Sequence, residues 1–263
     1  MLALVILSYF AFAVPTQPTA PETLDRRGDS RLDPTNYPAK SLEAEAGNIT
    51  GVYIFATTQT KTWAGFYGNI SGNITLDDAV GNTFYDWEVA EPNGEVYAAN
   101  DTVSDWSTIR CINFSATPGM TVNYDGGLAS TVDNNPLNLS LLENGFGITW
   151  NDEDGVNETF NTGTHDGFFV GTINITENSC MTTDTYQDSH SAGDAFQEVL
   201  LEVNNSNTVI FSTIIENRDA TNETDVRGYN GARHDFQMLV LEDGHDGPEA
   251  DLTTTYYFYV ELD

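Results

Sequence analysis

The sequence predicts an all-β fold: an antiparallel β-sandwich of jelly-roll or Ig-like type, built as one large domain or two stacked ones. Three observations carry this expectation. Short β-branched and aromatic runs recur from Asn48 onward at intervals of about 8–12 residues. Gly, Asn, Asp and Pro separate them. No segment after residue 45 keeps a helical apolar period for three turns.

The chain opens on the apolar run of residues 2–13 (LALVILSYFAFA). It ends in the small-x-small pattern Ala11-Phe12-Ala13 that precedes signal cleavage, with Pro15 and Pro18 just beyond. A bilayer crossing takes about 20 apolar residues, so no transmembrane span is expected. Residues 1–13 are therefore expected to be a signal peptide, with a retained apolar segment as the alternative. Residues 14–45, rich in Pro and charge, read as a linker or propeptide. Their Arg27-Gly28-Asp29-Ser30 matches the integrin-binding tetrapeptide, but four residues recur by chance too often to carry weight. Residues 46–263 form the sandwich domain, with a division near 140–150 as the alternative.

Within that domain, residues 52–58, 63–67, 74–77, 84–89, 95–98 and 108–114 read as strands. Pro92-Asn93-Gly94 is expected to turn a hairpin between the fourth and fifth of these, because Asn and Gly accept positive φ. A second hairpin is expected over 196–215. Ala195, Val199, Leu201 and Val203 share one face, Val209, Phe211, Thr213 and Ile215 the other, and Asn204-Asn205-Ser206-Asn207 is the loop. At the C-terminus Tyr256, Phe258, Val260 and Leu262 alternate with Tyr257, Tyr259 and Glu261. The segment Val52-Tyr53-Ile54-Phe55-Ala56, apolar and uncharged behind a flexible stretch, has what addition to a neighbour's sheet requires.

Charge narrows the partners. Forty Asp and Glu face nine Lys and Arg, a formal charge of −31, so no sizeable basic patch can form. Nucleic acid and anionic membrane are excluded as partners. Hydrophobic residues at 40%, with 14 Phe, 12 Tyr and 4 Trp, suffice for a real core. Cys111 and Cys180 fit one disulfide made in an oxidising compartment, with two buried free thiols as the alternative.

Ten asparagines lie in the acceptor pattern for N-linked glycans: Asn48, Asn69, Asn73, Asn100, Asn113, Asn138, Asn157, Asn174, Asn204 and Asn222. Random placement of the 24 Asn among the 46 Ser and Thr gives about four. The excess is expected to reflect a secreted, glycan-coated protein of the cell surface.

Catalytic patterns are absent from the sequence. His165, His190, His234 and His245 lack a positioned partner, since strand neighbours point to opposite faces and an adjacent Asp makes no dyad. No nucleophile elbow, zinc helix or phosphate loop occurs, and no cofactor-binding residue is assigned. Calcium is the one candidate cofactor. Asp152, Asp154 and Asn157 place oxygens at intervals around Gly155, although Trp150 stands where an EF-hand-type loop needs its first ligand. Glu242 and Asp246 form a second, looser cluster.

The run Trp63-Ala-Gly-Phe-Tyr-Gly-Asn69-Ile-Ser-Gly-Asn73-Ile-Thr-Leu-Asp-Asp78, with Phe84-Tyr-Asp-Trp87, Gly94-Glu-Val-Tyr97 and Trp106-Ser-Thr-Ile-Arg-Cys111, resembles an uncharacterised family of exported archaeal cell-surface proteins. Asp194-Ala-Phe-Gln-Glu-Val-Leu-Leu201, Asp235-Phe-Gln-Met238 and the residues 256–262 extend the likeness over most of 48–262. The resemblance implies an archaeal cell-surface setting and no assigned activity. Likeness to archaeal filament and surface-layer subunits is one of composition only.

The expected function is therefore structural: a homopolymer subunit of an extracellular filament or surface layer, without enzyme activity. A monomeric adhesion or carbohydrate-binding module is the alternative, and a carboxylate-dependent extracellular hydrolase the third reading. If the sequons are used, the intact mass of native protein exceeds that of its own polypeptide by several glycans and returns to it on deglycosylation. An unmodified native mass contradicts the glycoprotein reading.

Overall fold

A computed structural model describes residues 17–32, 40–89, 92–112, 139–149, 152–162, 164–187, 191–204, 206–216, 226–242 and 253–262. In chain order the elements are β1 (Trp63–Gly68), β2 (Gly72–Asp77), β3 (Thr83–Val89), β4 (Gly94–Ala99), β5 (Ile109–Cys111), α1 (Leu139–Gly145), α2 (Val156–Thr159), β6 (Phe168–Val170), β7 (Ile173–Ile175), β8 (Thr182–Gln187), β9 (Ser191–Val203), β10 (Val209–Ile214), β11 (Phe236–Leu241) and β12 (Tyr257–Leu262). The fold is all-β, and every ladder among the described residues is antiparallel.

The expected 196–215 hairpin forms, and it is the centre of the molecule. β9 and β10 pair from Val209↔Glu202 to Thr213↔Glu198. β4 and then β12 continue the sheet beyond β10, while β5 and β8 share the far side of β9, giving the order β12-β4-β10-β9-β5 with β8 also on β9. β4 and β5 precede residues 140–150, β8–β10 and β12 follow them, and all lie in this one sheet.

Alternation decides which side chains go where. Leu200, Val209 and Phe211 point to one face; Val199, Leu201 and Ile210 point to the other. Both faces are buried, so these strands read as continuous apolar runs. The first face is covered by the β1–β11 pair and the two short helices, through Met238, Val240, Leu142, Phe146 and Phe160. Trp63 lies 5.9 Å from Phe160 and 6.4 Å from Phe211, ring to ring. The second face is covered by the β6–β7 hairpin and by Trp106, which lies between Tyr97 and Tyr259 with ring centroids at 5.2 and 5.0 Å, tilted to the first and edge-on to the second. A fully buried Phe or Leu contributes about 1.5–3 kcal/mol, so the two layers together dominate stability.

Four sequence expectations differ from the structure. Residues 92–94 turn no hairpin: β3 pairs with β2, and β4 pairs with β10 and β12. Gly94, at φ +124°, is instead required because a Cβ there would overlap the Glu261 carbonyl on β12. Residues 52–58 carry strand-forming side chains but join no sheet. The 108–114 run contributes only β5, and 113–114 lie outside the described residues. Finally, part of the 14–45 linker docks: Thr19 exchanges both backbone hydrogen bonds with Val260, at 3.0 and 2.8 Å, and covers the outer edge of β12. An edge strand presents unpaired N–H and C=O groups, and a nearby extended segment satisfies them. No helix of the described residues is long and apolar enough to cross a membrane.

Cys111 and Cys180 form the disulfide, with Cα atoms 5.3 Å apart and both residues buried. It joins β5 to the segment entering β8 across 69 residues of sequence. Closing such a loop restricts the unfolded chain by about 4 kcal/mol. The double variant Cys111→Ala/Cys180→Ala should lose about that much in denaturant unfolding, and both thiols of the native chain should resist alkylation until reduced. Labelling without reductant contradicts the pairing.

Candidate functional site

Three surfaces stand out once the sheet is in place. The first begins at residue 46. Between Glu45 and Lys61 the chain carries no charged residue, although the whole carries −31. Ile49, Val52, Tyr53, Ile54 and Phe55 are all exposed, Tyr53 at 89% and Ile54 at 83%. Residues 49–59 make no β-bridge and no hydrogen bond within the described structure. Among the described residues the segment is fixed at its root: Thr60 Oγ1 donates to an Asp154 carboxylate oxygen, Trp63 Nε1 donates to the Asp154 carbonyl at 2.7 Å, and Glu242 N donates to Thr62 O.

A separate apolar face lies on the β2–β3 ribbon, which follows the far end of β1. Its register places Ile74 opposite Trp87 and Leu76 opposite Tyr85, so these four share one face, while Asn73, Thr75, Asp86 and Glu88 share the other. The apolar four are 49–60% exposed. Neither strand has a further partner among the described residues, so both ribbon edges are open. A lone two-stranded ribbon is marginal in water and gains from a third strand.

The third surface is an acidic cleft of about 300 Å³, lined by Asn93, Glu95, Asp166, Phe169, Gln197 and Glu216 among others. Gln197 Oε1 accepts the Asp166 N–H at 2.7 Å. Behind it, Glu95 on β4 lies opposite Glu261 on β12, both buried. The Tyr97 hydroxyl contacts both carboxylates, at 3.5 and 3.4 Å, and Gly171 N donates to Glu261 at 3.0 Å.

His165, beside this cleft, is held for structure. Its Nε2 accepts from Cys180 N at 3.0 Å, which requires an unprotonated nitrogen there, so Nδ1 carries the hydrogen and donates to Asp166 O at 2.7 Å. Asn178, in the left-handed region at φ +59°, accepts from His165 N and donates its own N–H to His165 O. Burial pushes the His165 imidazole below its ordinary value, in keeping with the neutral form. His234 lies against Tyr67, with burial again lowering it, and contacts Asn230 at 3.0 Å. His190 and His245 lie outside the described residues.

Of the candidate calcium ligands, the Asp152 carboxylate accepts Thr149 N and Oγ1, at 2.8 and 2.6 Å. Asp154 binds Thr60, and Glu242 lies beside Thr62, away from that loop's sequence; Asp246 lies outside the described residues. Among the described residues no group of three or more His, Cys, Asp or Glu is arranged to hold a metal ion. Of the sequons, Asn48, Asn69, Asn73 and Asn174 are exposed, Asn100, Asn157 and Asn204 half-buried, and Asn113, Asn138 and Asn222 outside the described residues.

No family model, no curated protein and no solved structure matches the chain.

Glu198 offers a pH test of the sheet that joins these surfaces. It is fully buried on β9, with one oxygen accepting Leu239 N at 2.7 Å and the other unpartnered. Burial holds its carboxyl well above the ordinary value of 4.5. Above that value the unfolded chain releases the proton first, so stability is lost as pH rises. His165 acts oppositely: below 6.5 the unfolded chain binds the proton first, and stability is lost as pH falls. The melting-temperature advantage of Glu198→Gln over wild type should therefore grow from pH 5 to pH 8, measured by calorimetry. An advantage independent of pH contradicts a neutral Glu198.

Proposed function

We propose that this chain is a self-associating structural subunit of an extracellular filament or surface layer, N-glycosylated and borne by an archaeal cell. The observation that carries the reading is the uncharged, apolar segment 46–60, whose residues 49–59 make no hydrogen bond among the described residues. Two copies at −31 repel wherever acidic surface meets acidic surface. An uncharged strand is the part of the chain that a second copy can approach without that cost.

The partner surface for it is the β2–β3 ribbon of the next copy. Strand addition would give the 46–60 backbone the hydrogen bonds it lacks and make the ribbon three-stranded. Alternation would lay one set of its apolar side chains along Ile74, Leu76, Tyr85 and Trp87, while the sequon Asn73 stays on the opposite, polar face. Segment and acceptor are different surfaces, so the contact is head-to-tail and extends into a polymer unless its rotation closes a ring. The proposal assigns no catalytic role.

A second reading draws on one observation. Tyr85 and Trp87, half-exposed with rings 4.8 Å apart, form an aromatic platform of the kind that stacks on sugars, as a monomeric carbohydrate-binding module would use.

Ile54→Asp places a charge in the middle of the segment without touching the core. Its effect on folding stability should stay within about 0.5 kcal/mol, as for other exposed positions, while its effect on assembly should be decisive. Negative-stain microscopy and light scattering are expected to show polymers for wild type and monomers for Ile54→Asp. Equal polymerisation by both overturns strand donation, and dispersed wild-type particles that bind glycans favour the second reading.

A further inference from the structure

The loop between α1 and α2 contains an arrangement that the sequence did not reveal, because one of its members lies nine residues before Asp152. Glu143, at the end of α1, is only 2% exposed. It receives backbone hydrogen bonds from Val156 and Asn157, which hold its carboxylate against the start of α2. Its Oε1 is buried without a hydrogen-bond partner. Asn157 Oδ1 is likewise buried without one. An orphaned buried carboxylate oxygen costs about 1–3 kcal/mol or more, and two orphans side by side require a cause.

Their placement supplies it. A Cβ built on Gly155 would stand 3.4 Å from Glu143 Oε1, 3.3 Å from Asn157 Oδ1 and 3.0 Å from the Asp152 carbonyl oxygen. Gly155 has an ordinary φ of −66°, so nothing in its backbone demands glycine. The space at its Cα does: three oxygens of three kinds ring it, with the Asp152 side chain close enough to raise the Glu143 carboxyl further.

We infer that Glu143, Asn157 and the Asp152 carbonyl form a calcium site, with Gly155 providing the room. Carboxylate, amide carbonyl and backbone carbonyl are the oxygen donors calcium takes, and its loose geometry accepts water at the remaining positions. A divalent cation would satisfy both orphaned oxygens and offset the repulsion between Glu143 and Asp152. Asp154 is not a ligand; it works from the same loop as the anchor of Thr60 and Trp63. The site therefore steadies the root of the 46–60 segment. It stands whether or not that segment polymerises.

The test is calorimetry on the full chain in EDTA and in about 10 mM CaCl2 at matched ionic strength, a concentration well above that at which extracellular calcium modules fill. Wild type should gain about 5 °C in melting temperature. Glu143→Gln removes the charge and lets the new amide donate to Asn157 Oδ1. It should melt in EDTA at or above wild type and gain nothing from calcium beyond what magnesium gives both proteins. Gly155→Ala keeps every ligand but fills the space, and should lose the calcium gain as well. Titration calorimetry of wild type should show one calcium equivalent per chain. Absence of the gain in wild type, or an equal gain in Glu143→Gln, overturns the site; the latter would mean that calcium acts through the acidic surface at large, and the former that Asn157 donates its amide N–H to Glu143.

Discussion

Charge imbalance is the constraint on which the rest depends. A chain with forty acids and nine basic residues cannot neutralise itself by pairing, so each acid must face solvent, be held by neutral donors, or meet an outside cation. The structure uses the first two routes visibly. Glu261 is held by Gly171 N, Glu198 by Leu239 N and Glu143 by two amides of α2. Arg110 with Glu202, at 2.6 Å, is a part-buried ion pair joining β5 to β9. Buried carboxylates held this way favour a specific arrangement more than they favour stability.

That constraint also shapes what can touch what. At physiological salt, charges are screened beyond about 8 Å, but a docked interface lies well inside that distance. Contact between copies must therefore occur where acid is sparse. The 46–60 segment has none, and the face of the β2–β3 ribbon carrying Ile74, Leu76, Tyr85 and Trp87 keeps its acids, Asp86 and Glu88, on the other side. Among the described residues neither pairs with a further strand, whereas Thr19 pairs onto the edge of β12.

Much of the fold was legible because local pattern and tertiary demand agreed. The β9–β10 hairpin, the alternation in β12 and the 69-residue disulfide follow from residues 195–215, 256–262 and the two cysteines. The turn at 92–94 was misread because Gly94 answers a steric need made by β12, some 165 residues away, and not a local turn. Residues 52–58 were expected as a strand, since propensity reports what a segment can do and not where its partner is. The candidate sites were less legible. Glu95 and Glu261 sat in plain view as acids inside apolar runs, the signal that could have marked them. Glu143 gave no such sign, because its role comes from a helix end brought against Gly155 by packing.

The central claim is that residues 46–60 find their hydrogen-bond partners in another copy of the chain. Amide hydrogen exchange read by mass spectrometry, in dilute and in concentrated wild-type protein, addresses it directly. The account requires the amides of residues 49–56 to exchange freely in the dilute sample and to become protected, together with the outward-facing amides of one edge of the β2–β3 ribbon, only as concentration rises. Protection already present at the lowest concentration would mean that the segment pairs within its own chain, and free exchange at every concentration would mean that it pairs with nothing; either result contradicts the account.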